Sequence, residues 1–586
     1  MSERTRHEYP RPQWQRNDWL NLNGEWEFAF DDEDKGLNER WYSGSVSLPD
    51  TIQVPFAFQS KLSGIGNNDF HDIVWYRRAI VIPEHYQGKR VLLHFGAVDY
   101  RADVWVNGVL VASHEGGHTP FHGDVTDALL DEGNIVVVRA VDNSRDLTIP
   151  RGKQYWKRES EGCFYTRTTG IWQTVWMEAV PVTYLEKARM TPDIDKRQVE
   201  MEIQLAGRTV GSEESHQLQV EIRFKKKLIR KAIYEVHSTC RGITAVVDME
   251  DEFGMWHLWS PEHPYLYDVT ITLLREGQMI DVVDSYFGMR KIAVQNGKLC
   301  LNNRPYTQKL VLDQGYFPDG NLTPPGDEAI RRDVELAKAM GFNGVRKHQK
   351  LEDPRFLYWC DRLGLLVWSE AANAFDYSPD YVRRFTAEWQ EAMERDYNHP
   401  CIVAWVPINE SWGVPDIKVN ESQQRHALAM YHLTKSLDST RPVVSNDGWE
   451  MVTTDLYTIH DYEWRGEVLE ERYTDLEKAL AFMPAGRHLS VEGYPYAGQP
   501  ILVTEFGGIA YRKSDWEGWG YSGAETDEDY EARLRAVIAP LQKSTMVQGY
   551  CYTQLTDVEQ EINGLLTYDR VPKIALESIK AINEGK

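Results

Sequence analysis

The sequence predicts a multidomain protein in which two all-β sandwiches precede a (β/α)8 barrel. Three observations carry this. The chain has 586 residues, more than one core organises at roughly 100–200 residues per domain. Its first half consists of short Val/Ile-rich runs separated by turn residues, the pattern of antiparallel sandwiches. From about residue 293 the pattern changes to apolar strands alternating with amphipathic helices, the pattern of a parallel barrel.

Residues 1–182 form the first sandwich. "VWYRRAIVI", "RVLLHFGAV", "ADVWVNGVLVAS" and "NIVVVRAV" read as its strands. Asn107-Gly108, between "VWV" and "VLV", predicts a two-residue hairpin, because a type I′ turn needs positive φ at both positions. Residues 183–292 repeat the pattern in "VEMEIQLAG", "HQLQVEIRFKK", "LYDVTITLLREG" and "MIDVVDSYFGMRKI". Their extent suits an immunoglobulin-like sandwich without its disulfide. Residues 293–586 supply the barrel. "DEAIRRDVELAKAMG" places Ile330, Val334, Leu336 and Ala337 at helical spacing and ends at Gly341, and "PRFLYWCDRLG" is a second helix. Strands are predicted at "YTQKLVL", "GVRKH", "LLVWSE", "IVAWVPINE", "PVVSND", "LYTIHD", "ILVTE" and "GYCYTQ", making eight strand–helix units.

In such a barrel the chemistry sits at the carboxyl ends of the strands. Arg346-Lys347-His348 ends the second, Glu370 the third, Asn409-Glu410 the fourth, Asn446-Asp447 the fifth, His460-Asp461-Tyr462 the sixth and Glu505 the seventh. Glu410 and Glu505 each follow a hydrophobic run. A single strand-end Glu reads equally well as a surface residue or a partner of Arg346. Two of them facing across one mouth suit glycoside hydrolysis, in which one carboxylate traps the oxocarbenium-like centre and a carboxylic acid protonates the leaving oxygen. A separation of about 5–5.5 Å goes with retention, and about 6.5–9.5 Å with inversion. Asp313, after the first strand, is a substrate contact or a turn-stabilising residue. Trp412 and Trp368 are stacking candidates, and Trp368 also fits the core.

"WVPINESWG" and "ILVTEFGG" resemble the acid/base and nucleophile segments of glycoside hydrolase family 2. "NGEWEFAF", "VDYRADVWVNGV" and "TTGIWQTVWME" are similar to that family's jelly-roll-like sugar-binding domain, and "LAKAMGFNGVRKHQ" to its second barrel strand. The resemblance covers nearly the whole chain. It implies an exo-acting retaining glycosidase that releases a terminal β-linked sugar, with Glu505 as nucleophile and Glu410 as general acid/base. It further implies Asn409 on the sugar's 2-hydroxyl, Arg346 and Tyr462 against the nucleophile, and His348 and His460 in the substrate site. A β-galactosidase-like activity leads. An arabinosidase or β-mannosidase of the same family, a non-catalytic carbohydrate-binding protein and a transglycosylase are the alternatives.

The chain also departs from the best-known members. The Asn-x-Lys pair with which the glucuronidases hold the substrate carboxylate is missing from "CYTQLTDVEQEINGLLTYDR". Phe164 stands where the galactosidases have an Asp, and "YTQ" replaces a Trp in the last strand. Glu559, with Glu161, Asp557 and Glu561, is the expected acidic substitute, although such residues are more often solvated.

Composition excludes other classes. With 65 Lys and Arg against 89 Asp and Glu, the net charge of −24 disfavours nucleic acid and anionic membranes as partners. The six Cys lack metal-ligand spacing and read as free thiols of a reducing compartment. "MSERTRHEYPRPQWQRNDW" has no apolar core of a signal peptide, and no apolar stretch reaches 18 residues, so a cytoplasmic location is expected. No cofactor and no metal are assigned. The expected partner is a carbohydrate substrate, and the family resemblance carries homo-oligomerisation as a further expectation. The 20 Trp and 30 Tyr fit either sugar stacking or core packing.

Overall fold

The computed structural model describes residues 6–207, 215–237, 240–250, 254–514 and 517–586. The first sandwich pairs a six-stranded antiparallel sheet with a four-stranded one. The six-stranded sheet runs in the order Asp50–Val54, Gly24–Phe30, Ile73–Ile80, Asn134–Val141, Arg101–Val106 and Val109–Glu115. The four-stranded sheet runs Trp19–Asn21, Val175–Val180, Arg90–Phe95 and Phe121–Asp124. Alternate residues point inward, so Phe28, Val74, Tyr76, Val136 and Val138 meet Leu93, Phe95, Val175 and Met177 in one core. The predicted hairpin is present, with φ of 51° at Asn107 and 82° at Gly108.

The second sandwich packs a three-stranded sheet (Tyr184–Asp193, Gln198–Ala206, Gly242–Asp248) on a four-stranded one (Lys227–Val236, His216–Phe224, Tyr267–Arg275, Gln278–Phe287). Val199, Met201 and Ile203 face Val220, Ile222, Val269 and Ile271. Cys300, Cys360, Cys401 and Cys551 are buried free thiols.

Seven parallel strands form the barrel sheet, in the order Ile402–Val406, Leu366–Glu370, Gly344–Lys347, Gln308–Asp313, Val547–Thr553, Ile501–Gly507 and Tyr457–Asp461. The eighth expected strand, "PVVSND", is reduced to isolated parallel bridges, Trp405 with Val443 and Asn409 with Asp447. Pro442 has no N–H to donate. The Val443 amide donates to the Asp455 carboxylate at 2.9 Å. That side chain takes the donor a regular ladder would use, yet the segment still fills the gap between the two outer strands. The Pro354–Leu363 helix opens with Asp353 accepting from the Arg355 amide and closes on Gly364 at φ 77°. Among the described residues no helix is long and apolar enough to cross a membrane.

Candidate active site

The buried Ile402–Val406 strand runs through Pro407 and Ile408 into a tight turn. Glu410 and Ser411 both adopt left-handed backbone, at φ 51° and 60°, an uncommon conformation for residues bearing a Cβ. Three hydrogen bonds hold it there. The Glu410 amide donates to the Asp447 carbonyl at 3.0 Å and the Trp412 amide to the Asn409 carbonyl at 2.9 Å. The Ser411 amide donates to Asn446 Oδ1 at 2.9 Å. The bridge segment 442–447 thus braces the turn, which leaves the Glu410 side chain 20% exposed.

Glu505 lies within the fully buried Ile501–Gly507 strand. Arg346 Nη1 donates to its Oε1 at 2.8 Å and the Tyr462 hydroxyl to its Oε2 at 2.6 Å. Tyr462 is fixed by a stacked Tyr521, with ring centroids 3.4 Å apart. Arg346 also binds Glu370 at 2.8 Å, Asn409 Oδ1 at 2.6 Å and Asp447 at 3.0 Å. His460 bridges the two halves of the site. Its Nδ1–H donates to Glu410 at 2.7 Å and its Nε2–H to Asp447 at 3.1 Å, while Nδ1 lies 3.5 Å from Glu505 Oε2. Carboxylate oxygens of Glu410 and Glu505 and a ring nitrogen of His460 all lie within 4.8 Å of one another.

The electrostatics separate these groups. Burial opposes charge on Glu505, but His460, Arg346, the Tyr462 hydroxyl and Lys153 outweigh it and hold the carboxyl below its usual range. Burial also opposes charge on His460, yet Glu505 and Asp447 raise it to about 10, so the ring is an imidazolium donating from both nitrogens. Burial lifts Glu370 to about 7 against the pull of Arg346. His348 is driven down by burial and by neighbouring Lys153 and Arg346, which keeps it neutral.

The structure brings Glu410, Glu505, Asn409, Arg346, Tyr462, His460 and His348 into one cluster. His348 Nδ1 lies 3.4 Å from Glu505 Oε1. Neither ring nitrogen of His348, nor the Asn409 amide nitrogen, has a hydrogen-bond partner among the described residues. These are the groups that a polar ligand would satisfy. Trp412 lies against Phe164 at 5.2 Å and Phe375 at 6.1 Å, on an aromatic wall beside Glu410.

Other expected site residues have structural partners. Asp313 is committed to a buried ion pair with Lys347 at 2.7 Å and to the Gly315 amide at 2.9 Å, which is the turn role. Glu559 accepts from the Thr166 amide at 3.1 and 3.2 Å and clamps a first-sandwich loop. The acidic residue beside the cluster is instead Glu561, whose neighbours include Lys153 and Glu505. Asp557 pairs with Lys573 at 2.6 Å, Glu161 is surface-exposed, and Trp368 is core, donating to Gln308.

Sequence reasoning missed Lys153, Tyr521 and the full part of Asp447. Asp447 was visible as a strand end, but its ties to Arg346, His460 and Thr504 exist only in three dimensions. Lys153 sits in a loop whose composition does not mark it as buried.

Among the described residues, two clusters offer metal-ligand atoms, Glu410/His460/Glu505 and Asp361/His399/Cys401. In the second, Asp361 is occupied by His399, the Cys401 amide and Tyr286 at 2.6–2.9 Å.

Two carboxylates this close at the mouth of a parallel barrel are the arrangement that cleaves glycosidic bonds with retention. Family models described as glycosyl hydrolases family 2, sugar binding domain, as glycosyl hydrolases family 2, and as glycosyl hydrolases family 2, TIM barrel domain match residues 20–181, 183–290 and 292–511. The chain belongs to glycosyl hydrolase family 2. It is 27% identical over 437 residues to a β-galactosidase of Thermoanaerobacter pseudethanolicus, a match covering 72% of this chain but only 55% of that protein. It is 28% identical over 551 residues to the β-glucuronidase of Canis lupus familiaris, covering 85% and 79% of the two chains. The crystal structure of Ruminococcus gnavus β-glucuronidase superposes with a TM-score of 0.78 at 19% identity, covering 99% of this chain and all of that one, a likeness of fold.

Proposed function

We propose that the protein is an exo-acting retaining glycosidase releasing a terminal, uncharged β-linked sugar, with β-galactosides first among its substrates. The observation that carries this is the approach of Glu410 and Glu505 to within 4.8 Å, in the short-separation class that goes with a covalent intermediate. Glu505, held ionised by Arg346, His460 and Tyr462, attacks the anomeric carbon. Glu410, the more solvent-accessible of the two, protonates the leaving oxygen. The negative charge it acquires then faces the His460 imidazolium at 2.7 Å. In the second half-reaction Glu410 takes a proton from the water that releases the sugar. Asn409 Nδ2 is the donor for the 2-hydroxyl.

Exo action is supported by the closure of one side of the mouth. Trp519 Nε1 and Gln560 Nε2 both donate to the Gly162 carbonyl, at 2.9 and 2.7 Å, and seal the barrel rim to the first sandwich. Glucuronidases are among the relatives, but this chain lacks their Asn-x-Lys pair. An arabinosidase is the second reading, favoured by Phe164, whose apolar ring occupies the position of the galactosidases' Asp.

A panel of nitrophenyl pyranosides and furanosides tests the proposal, with NMR following the first-formed anomer. Release of a neutral sugar, first in its β form, is the expected result. An α first product, or no release from any member, overturns it.

A further inference from the structure

Lys153 comes from the first sandwich, yet its ammonium lies in the barrel mouth. The residue is 7% exposed. No carboxylate oxygen lies within 4.0 Å of its Nζ among the described residues. The ammonium stands 4.9 Å from the centroid of the Trp412 ring. Burial opposes its charge, but a hydrogen-bond contact with the Cys163 sulfur and the nearby carboxylates of Glu561, Glu410 and Glu505 hold it up at about 12. A buried cation without a close counter-ion is costly unless something else satisfies its donors.

Its position is built rather than accidental. The Gly152 and Arg151 amides donate to the Asn373 carbonyl of the barrel at 2.9 and 3.2 Å, and the Tyr165 amide donates to the Lys153 carbonyl at 2.8 Å. The Arg151 guanidinium binds the carbonyls of Asn143, Ser144 and Asp146, each at 2.9 Å. Gly152 has φ 61°, and a Cβ there would stand 2.1 Å from the Gln349 carbonyl oxygen. Only glycine permits this approach. Glu561, 3% exposed, faces the same space and is oriented by the Tyr165 hydroxyl and by Asn563 Nδ2 at 3.0 Å.

We propose that Lys153 is a substrate-binding residue which the first sandwich supplies to the barrel, and that Lys153 and Glu561 together read hydroxyls of the terminal sugar. This rests on the glycosidase reading and deepens it. An ammonium only donates and a carboxylate only accepts, so adjacent sugar hydroxyls satisfy both at once. With no Asn-x-Lys pair beside them, Lys153 and Glu561 are assigned to an uncharged sugar rather than a uronate.

The test compares wild type with Lys153→Met and Lys153→Arg, with circular dichroism and melting to show that each folds. Calorimetric titration with D-galactose, L-arabinose, D-mannose and D-glucuronate measures binding without turnover. The neutral sugar that binds wild type is expected to lose roughly 10- to 100-fold in affinity in Lys153→Met, with partial recovery in Lys153→Arg. D-glucuronate is expected to bind neither. KM for the matching nitrophenyl glycoside rises by a similar factor. Equal sugar affinity in wild type and Lys153→Met overturns the inference, as does a wild type that binds none of the neutral sugars. An acid limb of the pH profile that moves while sugar affinity stays constant also overturns it, since Lys153 would then act on Glu505 alone. Sugar binding that depends on Lys153, without hydrolysis of any glycoside, upholds this inference and sinks the glycosidase reading instead.

Discussion

Glu505 and Glu410 are the same residue at the ends of two strands of one barrel, in opposite surroundings. Glu505 is 5% exposed at its side chain and ringed by Arg346, Tyr462, His348 and His460. Glu410 is 20% exposed and, among the described residues, its side chain is hydrogen-bonded to His460. The ring around Glu505 keeps it an anion. The left-handed turn leaves the Glu410 side chain partly exposed beside His460. The difference teaches that two identical side chains are set apart by their neighbours and their backbone, not by their type.

The comparison breaks first at Glu505. Glu505→Gln is expected to lower kcat by roughly 10⁴ or more, and intact mass after a 2-fluoroglycoside should show no covalent adduct. An adduct in that variant would move the nucleophile elsewhere. Next comes Glu410→Ala, with a loss of roughly 10²–10⁴ on alkyl glycosides and little on dinitrophenyl glycosides, which need no proton. Equal losses on both would erase the contrast. Arg346→Met strips the cation from Glu505, Glu370 and Asp447. It should cost about 3–5 kcal/mol of stability, because buried carboxylates lose their partner. The acid limb of kcat/KM should also rise in pH as the Glu505 carboxyl drifts up. The smallest effect is that of His460→Asn on melting temperature as a function of pH. The folded pKa of His460 is about 10 against an ordinary 6.5. Its stabilising charge is therefore whole below about pH 6.5 and lost as pH rises through about 10. The gap between wild type and variant should shrink over that window, and a constant gap would assign His460 a purely steric role.

Much of this was legible in the sequence because strong local rules and tertiary packing agreed. The strand ends at Glu410 and Glu505 follow apolar runs that are buried as read. Asn107-Gly108 made its turn because positive φ was required there. The fifth strand was misread because "PVVSND" has strand composition but a proline and side-chain competitors for its amides, with Asp455 on Val443 the clearest. Glu559 was preferred over Glu561, although the two differ only in which way a loop faces, and no periodicity encodes that. Lys153 was invisible for a related reason. A buried lysine and a solvated one look alike until the loop carrying it is seen docked on another domain.

That docking bears on how such chains are reshuffled. Gly152, wedged under the Gln349 carbonyl, makes the amino-terminal sandwich a contributor to the reaction chamber rather than a detachable lectin. An isolated barrel would be missing part of its own wall, and a chimaera with a relative's sandwich would carry a different wall at that place.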